Sequence, residues 1–152
     1  MIAVVQRVSR AEVRVDGDIV GEIGLGLAIL VGVERGDGDA DADVLARKIC
    51  ALRVFPGRTP MDLAIKDVRG ACLVVSQFTL AGSTRKGNRP SFDRAEDPAL
   101  ARTLYERVAE RIRADGIDVA TGRFAADMKV ELVNDGPVTF ILQARGGVLA
   151  GD

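Results

Sequence analysis

The sequence contains no histidine, which removes the commonest general base of enzymes. Without histidine there is no Ser-His or Cys-His nucleophile pair, and the usual nitrogen ligand for zinc or iron is missing as well. Any catalysis must therefore use other groups. We expect no metal ion and no cofactor.

Cysteine is nearly absent, with Cys50 in a helical pattern and Cys72 in an apolar strand pattern. Their positions match neither a redox pair nor a zinc site. The sequence predicts two buried thiols.

The chain also has no apolar run of the roughly 18 residues that a membrane span needs. Met1 leads directly into an alternating segment rather than a signal sequence, so we expect a cytoplasmic protein without membrane contact. The formal net charge is −1, which argues against coating nucleic acid through bulk electrostatics. If RNA is the partner, the contact must be local.

What is present fits one globular domain, because 152 residues with 47% hydrophobic content are enough to bury a continuous core. We place this domain at residues 1–143 and expect residues 144–152 to form a loose C-terminal tail.

Alternation and turn signals predict several strands. Asp16-Gly17 favours a tight hairpin turn, and the apolar residues 25–33 suit a central strand covered on both faces. Further strands are predicted at residues 2–8, 13–15, 19–23, 72–75, 129–133 and 138–143, the last two flanking a tight turn.

Two helices are predicted between these strands. An acidic stretch precedes the first, whose apolar stripe is Val44, Leu45, Ile49 and Leu52. Asp97-Pro98 is a typical start for the second, whose predicted buried face is Leu100, Leu104, Val108 and Ile112. Strands outnumber helices, which indicates a layered α+β domain with largely antiparallel strands. Two helices cover only one face, and this favours a symmetric dimer.

Polar residues that follow a buried strand form the first candidate site. Ser76, Gln77 and Thr79 come directly after the apolar residues 72–75, where binding sites are commonly built. The alternative is that Ser76 and Thr79 only satisfy local backbone groups while Gln77 faces water.

The second candidate is the string NDGPVT at residues 134–139, whose composition by itself indicates a turn. Gly136 has no side chain, so the backbone carbonyls next to Pro137 have room to approach a ligand closely. The Gly136-Pro137 peptide bond can also adopt the cis form, as X-Pro bonds do.

Four strings together resemble the D-aminoacyl-tRNA deacylase family, also called D-tyrosyl-tRNA deacylase: MIAVVQRV at the start, SQFTL at 76–80, GRFAADM at 122–128 and NDGPVT at 134–139. The resemblance runs from Met1 to about Gln143 in family order. It implies a layered β/β/α homodimer with the active site at the subunit interface, and hydrolysis of D-aminoacyl-tRNA. It leaves open whether glycyl-tRNA is a second substrate.

The resemblance also implies roles for individual residues. Gly136 and Pro137 match a Gly-cisPro element that reaches into the partner's pocket, binds the α-amino group of a D-amino acid and rejects the L form. Arg7 matches the residue that braces this element. Gln77, Phe78 and Thr79 match the pocket wall near the ester, as catalytic residues. Ser76 is expected to bind substrate, and Phe124 and Met128 fall in the stretch expected near the terminal adenosine. Asp62 departs from the asparagine expected in relatives, and the tail after Gln143 is additional.

An aminoacyl ester is already activated, so orientation and backbone donors at the oxyanion are favoured over covalent catalysis by Thr79, for which no base is evident. Two other readings stay open. One is a non-catalytic dimeric module that binds RNA or protein through a sheet edge and the basic residues 85–89. The other is a threonine-dependent esterase without stereoselectivity.

Overall fold

The computed structural model of the protein describes residues 1–150, which form seven strands, two α-helices and one short 3-10 helix. The strands are β1 (Ile2–Val15), β2 (Asp18–Ile23), β3 (Gly26–Gly32), β4 (Ala71–Ser76), β5 (Asp118–Thr121), β6 (Lys129–Arg145) and β7 (Val148–Leu149). The helices are α1 (Asp39–Ala51), the 3-10 helix (Phe78–Ala81) and α2 (Pro98–Ala114).

The long first strand organises the sheet. Its first half pairs antiparallel with β3, its second half pairs with β2, and its other edge pairs with β6. Beyond β3 the pairing becomes parallel through β4 to β5, which gives the order β5-β4-β3-β1-β6-β7. The sheet is therefore mixed, and the predicted α+β class with two main helices is confirmed.

Two apolar cores give the molecule its layers. The larger core lies between the sheet and both helices and includes Val5, Ile29, Leu45 and Val108. The smaller core lies on the opposite face, where Val13 and Val20 from the β1–β2 hairpin meet β3 and β4. β3 is thus covered on both faces, as its nearly continuous apolar sequence predicts.

The helices begin as the sequence predicts. The Asp97 carboxylate accepts a hydrogen bond from the Ala99 N–H at 3.0 Å, and Pro98 occupies the first turn of α2. Leu104, Val108 and Ile112 are buried, but the prediction for Leu100 is wrong because its side chain is 42% exposed. Leu100 lies in the first turn of α2, which borders an open groove rather than the core. Within residues 1–150, neither helix is long and apolar enough to cross a membrane.

The expectation of a loose tail from residue 144 is wrong up to Ala150. β6 continues to Arg145, β7 pairs back onto it, and Ala144 is buried. The Met1 ammonium group donates to the Ala144 carbonyl at 2.6 Å and lies 2.7 Å from the buried Asp37 carboxylate. Arg145 contacts the same carboxylate at 3.0 Å, so the two ends of the domain are joined through Asp37. Residues 151 and 152 lie outside the described residues.

The tight turn predicted between two strands is instead an outward bulge in the single strand β6. Both halves of β6 pair with β1, because Asn134 lies opposite Val8 while Thr139 lies opposite Gln6. Five steps along β6 therefore match two steps along β1, and the intervening residues project from the sheet. The sequence pattern located the irregularity but not the partner strand.

The predicted burial of both cysteines is confirmed. Burial raises the pKa of the Cys50 thiol to about 11 and raises the pKa of Cys72 further, so both thiols stay protonated near neutral pH.

Candidate active site

The first candidate site forms where β4 ends. β4 is a parallel strand between β3 and β5, and Ser76 is its last residue. The chain then turns through Gln77 into the 3-10 helix, whose first backbone hydrogen bond runs from the Leu80 N–H to the Gln77 carbonyl at 3.2 Å. The N–H groups of Phe78 and Thr79 precede that bond, and within residues 1–150 they donate no backbone hydrogen bond. Ligands commonly bind outside the carboxyl ends of such strands.

A groove of about 870 Å³ opens at this end of β4. Its walls come from β4, the 3-10 helix, the start of α2 and the segment that follows β5. The lining side chains include Arg35, Ser76, Gln77, Phe78, Phe92, Glu96, Asp97, Ala101, Phe124, Asp127, Met128 and Val130.

Aromatic side chains form the apolar part of the groove. Phe78 packs edge to face against Phe92, with ring centroids 5.1 Å apart. Across the groove, Phe124 packs on Tyr105 at 6.1 Å. The Tyr105 hydroxyl donates to the Val74 carbonyl at 3.0 Å, which fixes the ring that supports Phe124, and burial raises the pKa of Tyr105. The groove therefore offers flat apolar surfaces suited to a planar ring.

A short hydrogen bond links two of the predicted site residues. The Gln77 amide donates to the Thr79 hydroxyl at 2.5 Å. Thr79 is exposed and lies beside the groove rather than in its lining. Within residues 1–150 Gln77 is the only hydrogen-bond partner of this hydroxyl, and an amide NH₂ does not take up a proton. The bond orients Thr79 but does not activate it as a nucleophile.

The second candidate site is the bulge at residues 134–139. The Gly136-Pro137 peptide bond is cis, and Gly136 has a φ of +134°. Arg7 donates from Nε to the Asp135 carbonyl at 2.9 Å and from Nη1 to the Val54 carbonyl at 2.6 Å. One guanidinium thus ties the bulge to the segment that follows α1.

Asn134 closes the bulge from its other side. Its carbonyl oxygen accepts from the Val138 N–H at 3.0 Å, and its amide donates to the Thr139 hydroxyl at 2.9 Å. Gly136 and Pro137 are exposed, and neither lines the groove of their own chain. The bulge is therefore a braced, projecting element rather than a loose turn.

The structure thus brings together five of the nine predicted site residues in one groove: Ser76, Gln77, Phe78, Phe124 and Met128. Thr79 is joined to them through Gln77, while Arg7, Gly136 and Pro137 form the separate bulge. Sequence reasoning missed Phe92, Arg35 and Asp127. Phe92 carried a usable signal, because it is a lone aromatic residue in a polar loop; the other two resemble ordinary surface residues. Residues 1–150 contain no group of three or more Cys, Asp or Glu side chains arranged to hold a metal ion.

Together, the fold and the groove are those of an α+β protein with a candidate ligand site at the end of a parallel strand. The sequence profile described as D-Tyr-tRNA(Tyr) deacylase matches residues 4–143, and the chain belongs to this family. It is 58% identical to the D-aminoacyl-tRNA deacylase of Anaeromyxobacter dehalogenans over 95% of this chain and 98% of that protein. It is 56% identical to the protein of the same name from Persephonella marina, over 95% of this chain and 99% of the relative.

Two solved structures share the fold. The c-Myc DNA Unwinding Element Binding Protein superposes with a TM-score of 0.89 at 36% identity, covering 96% of this chain and all of that one. A probable eukaryotic D-amino acid tRNA deacylase superposes with a TM-score of 0.78 at 16% identity, covering 92% of this chain and 97% of that one. The second likeness concerns the fold alone.

Proposed function

We propose that this protein hydrolyses the ester bond between a D-amino acid and the 3′ end of tRNA, releasing the free amino acid and the tRNA. The observation that carries the proposal is similarity over nearly the full chain to proteins named D-aminoacyl-tRNA deacylase. The groove supports it, because aromatic surfaces beside amide and hydroxyl groups suit a terminal nucleoside carrying an ester. Aminoacyl-tRNA is made and used in the cytoplasm, where this activity would act.

The chemistry proposed here is orientation plus stabilisation of the oxyanion. An aminoacyl ester is activated, and its ribose carries a hydroxyl group next to the ester, so correct positioning supplies much of the acceleration. The N–H groups of Phe78 and Thr79 are suited to donate to the carbonyl oxygen as it becomes negative. This mechanism requires no histidine.

Thr79 serves in this proposal as a positioning residue, because its hydroxyl accepts a hydrogen bond from Gln77 and makes no hydrogen bond to a base within residues 1–150. Thr79→Ala is expected to retain kcat within about tenfold of the unaltered protein, since no covalent intermediate is lost. A loss of a thousandfold or more that Thr79→Ser restores would instead identify Thr79 as the nucleophile.

Handedness is sorted in this proposal by the bulge of a partner subunit in a homodimer. The bulge does not line its own groove and is flanked by exposed apolar side chains, with Val133 at 42%, Phe140 at 40% and Ile141 at 67% exposure. Exposed apolar side chains around a rigid projection are typical of a surface that another protein covers.

In the composite site, the backbone carbonyls of the bulge accept hydrogen bonds from the substrate's α-ammonium group. An L-amino acid held by the same ammonium group directs its side chain into the bulge, whereas a D-amino acid directs it away. Glycine has no side chain to be rejected, so glycyl-tRNA is also a substrate under this proposal. Such steric selection accepts many D-amino acids, because it does not grip the side chain.

The direct test is release of tyrosine from D-tyrosyl-tRNA and L-tyrosyl-tRNA under identical conditions. The proposal predicts rapid release from the D substrate alone. Equal release from both would indicate an esterase without stereoselectivity. Release from neither would indicate a binding module and would overturn the proposed activity.

A further inference from the structure

The loop at residues 84–90 carries three cations and no acid. Arg85, Lys86 and Arg89 are all exposed, and none forms an ion pair with another residue in the range 1–150. The basic loop, defined as residues 84–90, therefore presents a concentrated positive charge to solvent.

Elsewhere many cations are neutralised within the chain. Arg94 pairs with Glu34, Lys129 pairs with Asp127, and Arg107 and Arg111 share Asp43. The whole chain carries a net charge of −1, so it has no general attraction for a polyanion. The basic loop differs from the other unpaired cations because it places three of them within five residues, 85–89.

The loop is anchored at the rim of the groove. Its base is closed by two backbone hydrogen bonds between Ser83 and Ser91, at 2.8 and 2.9 Å. The next residue, Phe92, lines the groove and packs on Phe78. From Ser83 to the tip at Gly87 is four residues, which span at most about 14 Å. The cations are therefore held close to the groove mouth.

The groove itself disfavours phosphate. Three carboxylates, those of Glu96, Asp97 and Asp127, line it against one lining cation, Arg35, so the net negative charge of the lining repels a nucleic-acid backbone. A tRNA whose terminal nucleoside enters the groove must keep its other phosphates outside. The basic loop at the rim of the groove offers those phosphates an exposed, positively charged surface.

We propose that the basic loop binds the phosphate backbone of tRNA next to the 3′-terminal nucleoside, as the main electrostatic contact of the chain with the tRNA body. This inference rests on the proposed function, because it takes the substrate to be an aminoacyl-tRNA. Phosphate contacts of this kind fix register without reading sequence, so the loop serves tRNAs of every identity.

The test compares the unaltered protein with the triple variant Arg85→Gln, Lys86→Gln and Arg89→Gln. A matched control removes three other exposed cations that form no ion pair within residues 1–150, through Arg47→Gln, Lys48→Gln and Arg69→Asn. Arg69 precedes β4, at the end of the strand opposite the groove, about 20 Å away. Arg47 lines a cleft together with Asp115, which follows the last residue of α2. This end of α2 lies about 25 Å from the end that borders the groove. Asparagine is chosen for position 69 because Arg69 has a φ of +51°.

Two readouts are measured over a range of salt concentrations: KM for D-tyrosyl-tRNA, and the Kd for uncharged tRNA by fluorescence anisotropy. Each phosphate contact with single-stranded RNA contributes about 0.7 to the slope of log affinity against log salt concentration. If the loop makes three such contacts, the ratio of the tRNA affinities of the unaltered protein and the loop variant should fall roughly 20-fold between about 50 and about 200 mM salt. On D-tyrosyl-adenosine, which has no phosphate, the loop variant is expected to match the unaltered protein. The control variant is expected to match it on every substrate.

The inference is overturned if the loop variant binds uncharged tRNA with unchanged affinity and salt slope, or if the control variant loses as much. Loss of activity on D-tyrosyl-adenosine would also overturn it, because the loop would then act on the groove instead. Failure of the proposed function is a separate result, namely no hydrolysis of either substrate by the unaltered protein, and the anisotropy measurement still decides the role of the loop.

Discussion

Replacing Gly136 by alanine probes the bulge with a single methyl group. An added Cβ would lie 2.8 Å from Nη2 of Arg7 and 2.8 Å from Cγ2 of Val138, both closer than real contacts allow. The φ of +134° is also strained for any residue with a side chain, at a cost of about 1–3 kcal/mol. Because Arg7 holds the Asp135 and Val54 carbonyls, a displaced guanidinium also weakens charge-assisted hydrogen bonds worth roughly 1.5–3 kcal/mol each.

We therefore expect Gly136→Ala to lower the free energy of unfolding by about 2–4 kcal/mol. Under the proposed function, kcat/KM for D-tyrosyl-tRNA should also fall about 100-fold, because a shift of about 1 Å misplaces the ammonium contact. Urea unfolding and initial rates of tyrosine release measure the two effects. Gly116→Ala is the matched control. Gly116 also has a positive φ, of +86°, but no atom of the described residues 1–150 lies within 4 Å of its added Cβ. It follows the end of α2 that is distant from the groove.

The control variant is expected to lose about 1 kcal/mol of stability and to keep its activity. A folded Gly136→Ala protein whose kcat/KM stays within twofold of the original would show that the bulge has no part in binding substrate.

Two further predictions concern stability. Asp37→Asn leaves the buried Met1 ammonium and Arg145 without their shared carboxylate, so the free energy of unfolding in urea should fall by about 3–5 kcal/mol. As the control, Asp18→Asn at an exposed position should change it by less than about 0.5 kcal/mol. A similarly small change in both variants would contradict the Asp37 contacts. The hydrogen bonds from Arg107 and Arg111 hold the pKa of Asp43 well below its usual range, so this carboxylate stabilises the fold above pH 4, and its contribution is lost as pH falls through the lowered pKa. Asp43→Asn should therefore cost about 1 kcal/mol at pH 7 and progressively less in strongly acidic buffer, and a difference that grows on acidification would contradict this.

The parts of the fold that follow from local chemistry were predictable. Asp16 and Gly17 have φ values of +50° and +85°, the conformation that their turn signal implies. Asp97 and Pro98 start α2 for the same kind of reason, because capping depends on adjacent residues. Such features need no knowledge of distant parts of the chain.

Features that depend on distant partners were not predictable from pattern. β5 has only four residues and gains its place through parallel pairing with β4, far earlier in the sequence. The order of residues 144–150 depends on contacts with Met1, Asp37 and Asp41 at the other end of the domain. Hydrophobic periodicity carries no information about such partners.

The residues of the candidate site also differ in whether a local sequence signal or a distant contact places them. Polar residues after a buried strand indicated Ser76 and Gln77, and the resemblance indicated Phe124, Met128 and the bulge. Phe92 and Arg35 reach the groove only because the chain between the 3-10 helix and α2 runs back along the end of β3, where Glu34 pairs with Ala95. That path is a tertiary feature with no local signal.

Subunit mixing shows whether one working site combines the groove of one subunit with the bulge of its partner, as proposed above. Gly136→Ala damages the bulge, and Ala126→Trp fills the groove with an indole. Each homodimer is expected to keep about a hundredth or less of the original activity on D-tyrosyl-tRNA. A heterodimer purified through two different tags has one site with an intact groove and an intact bulge, so it should show about half the activity of the original dimer. A heterodimer as inactive as its parents, or a protein that forms no dimer, would contradict the account.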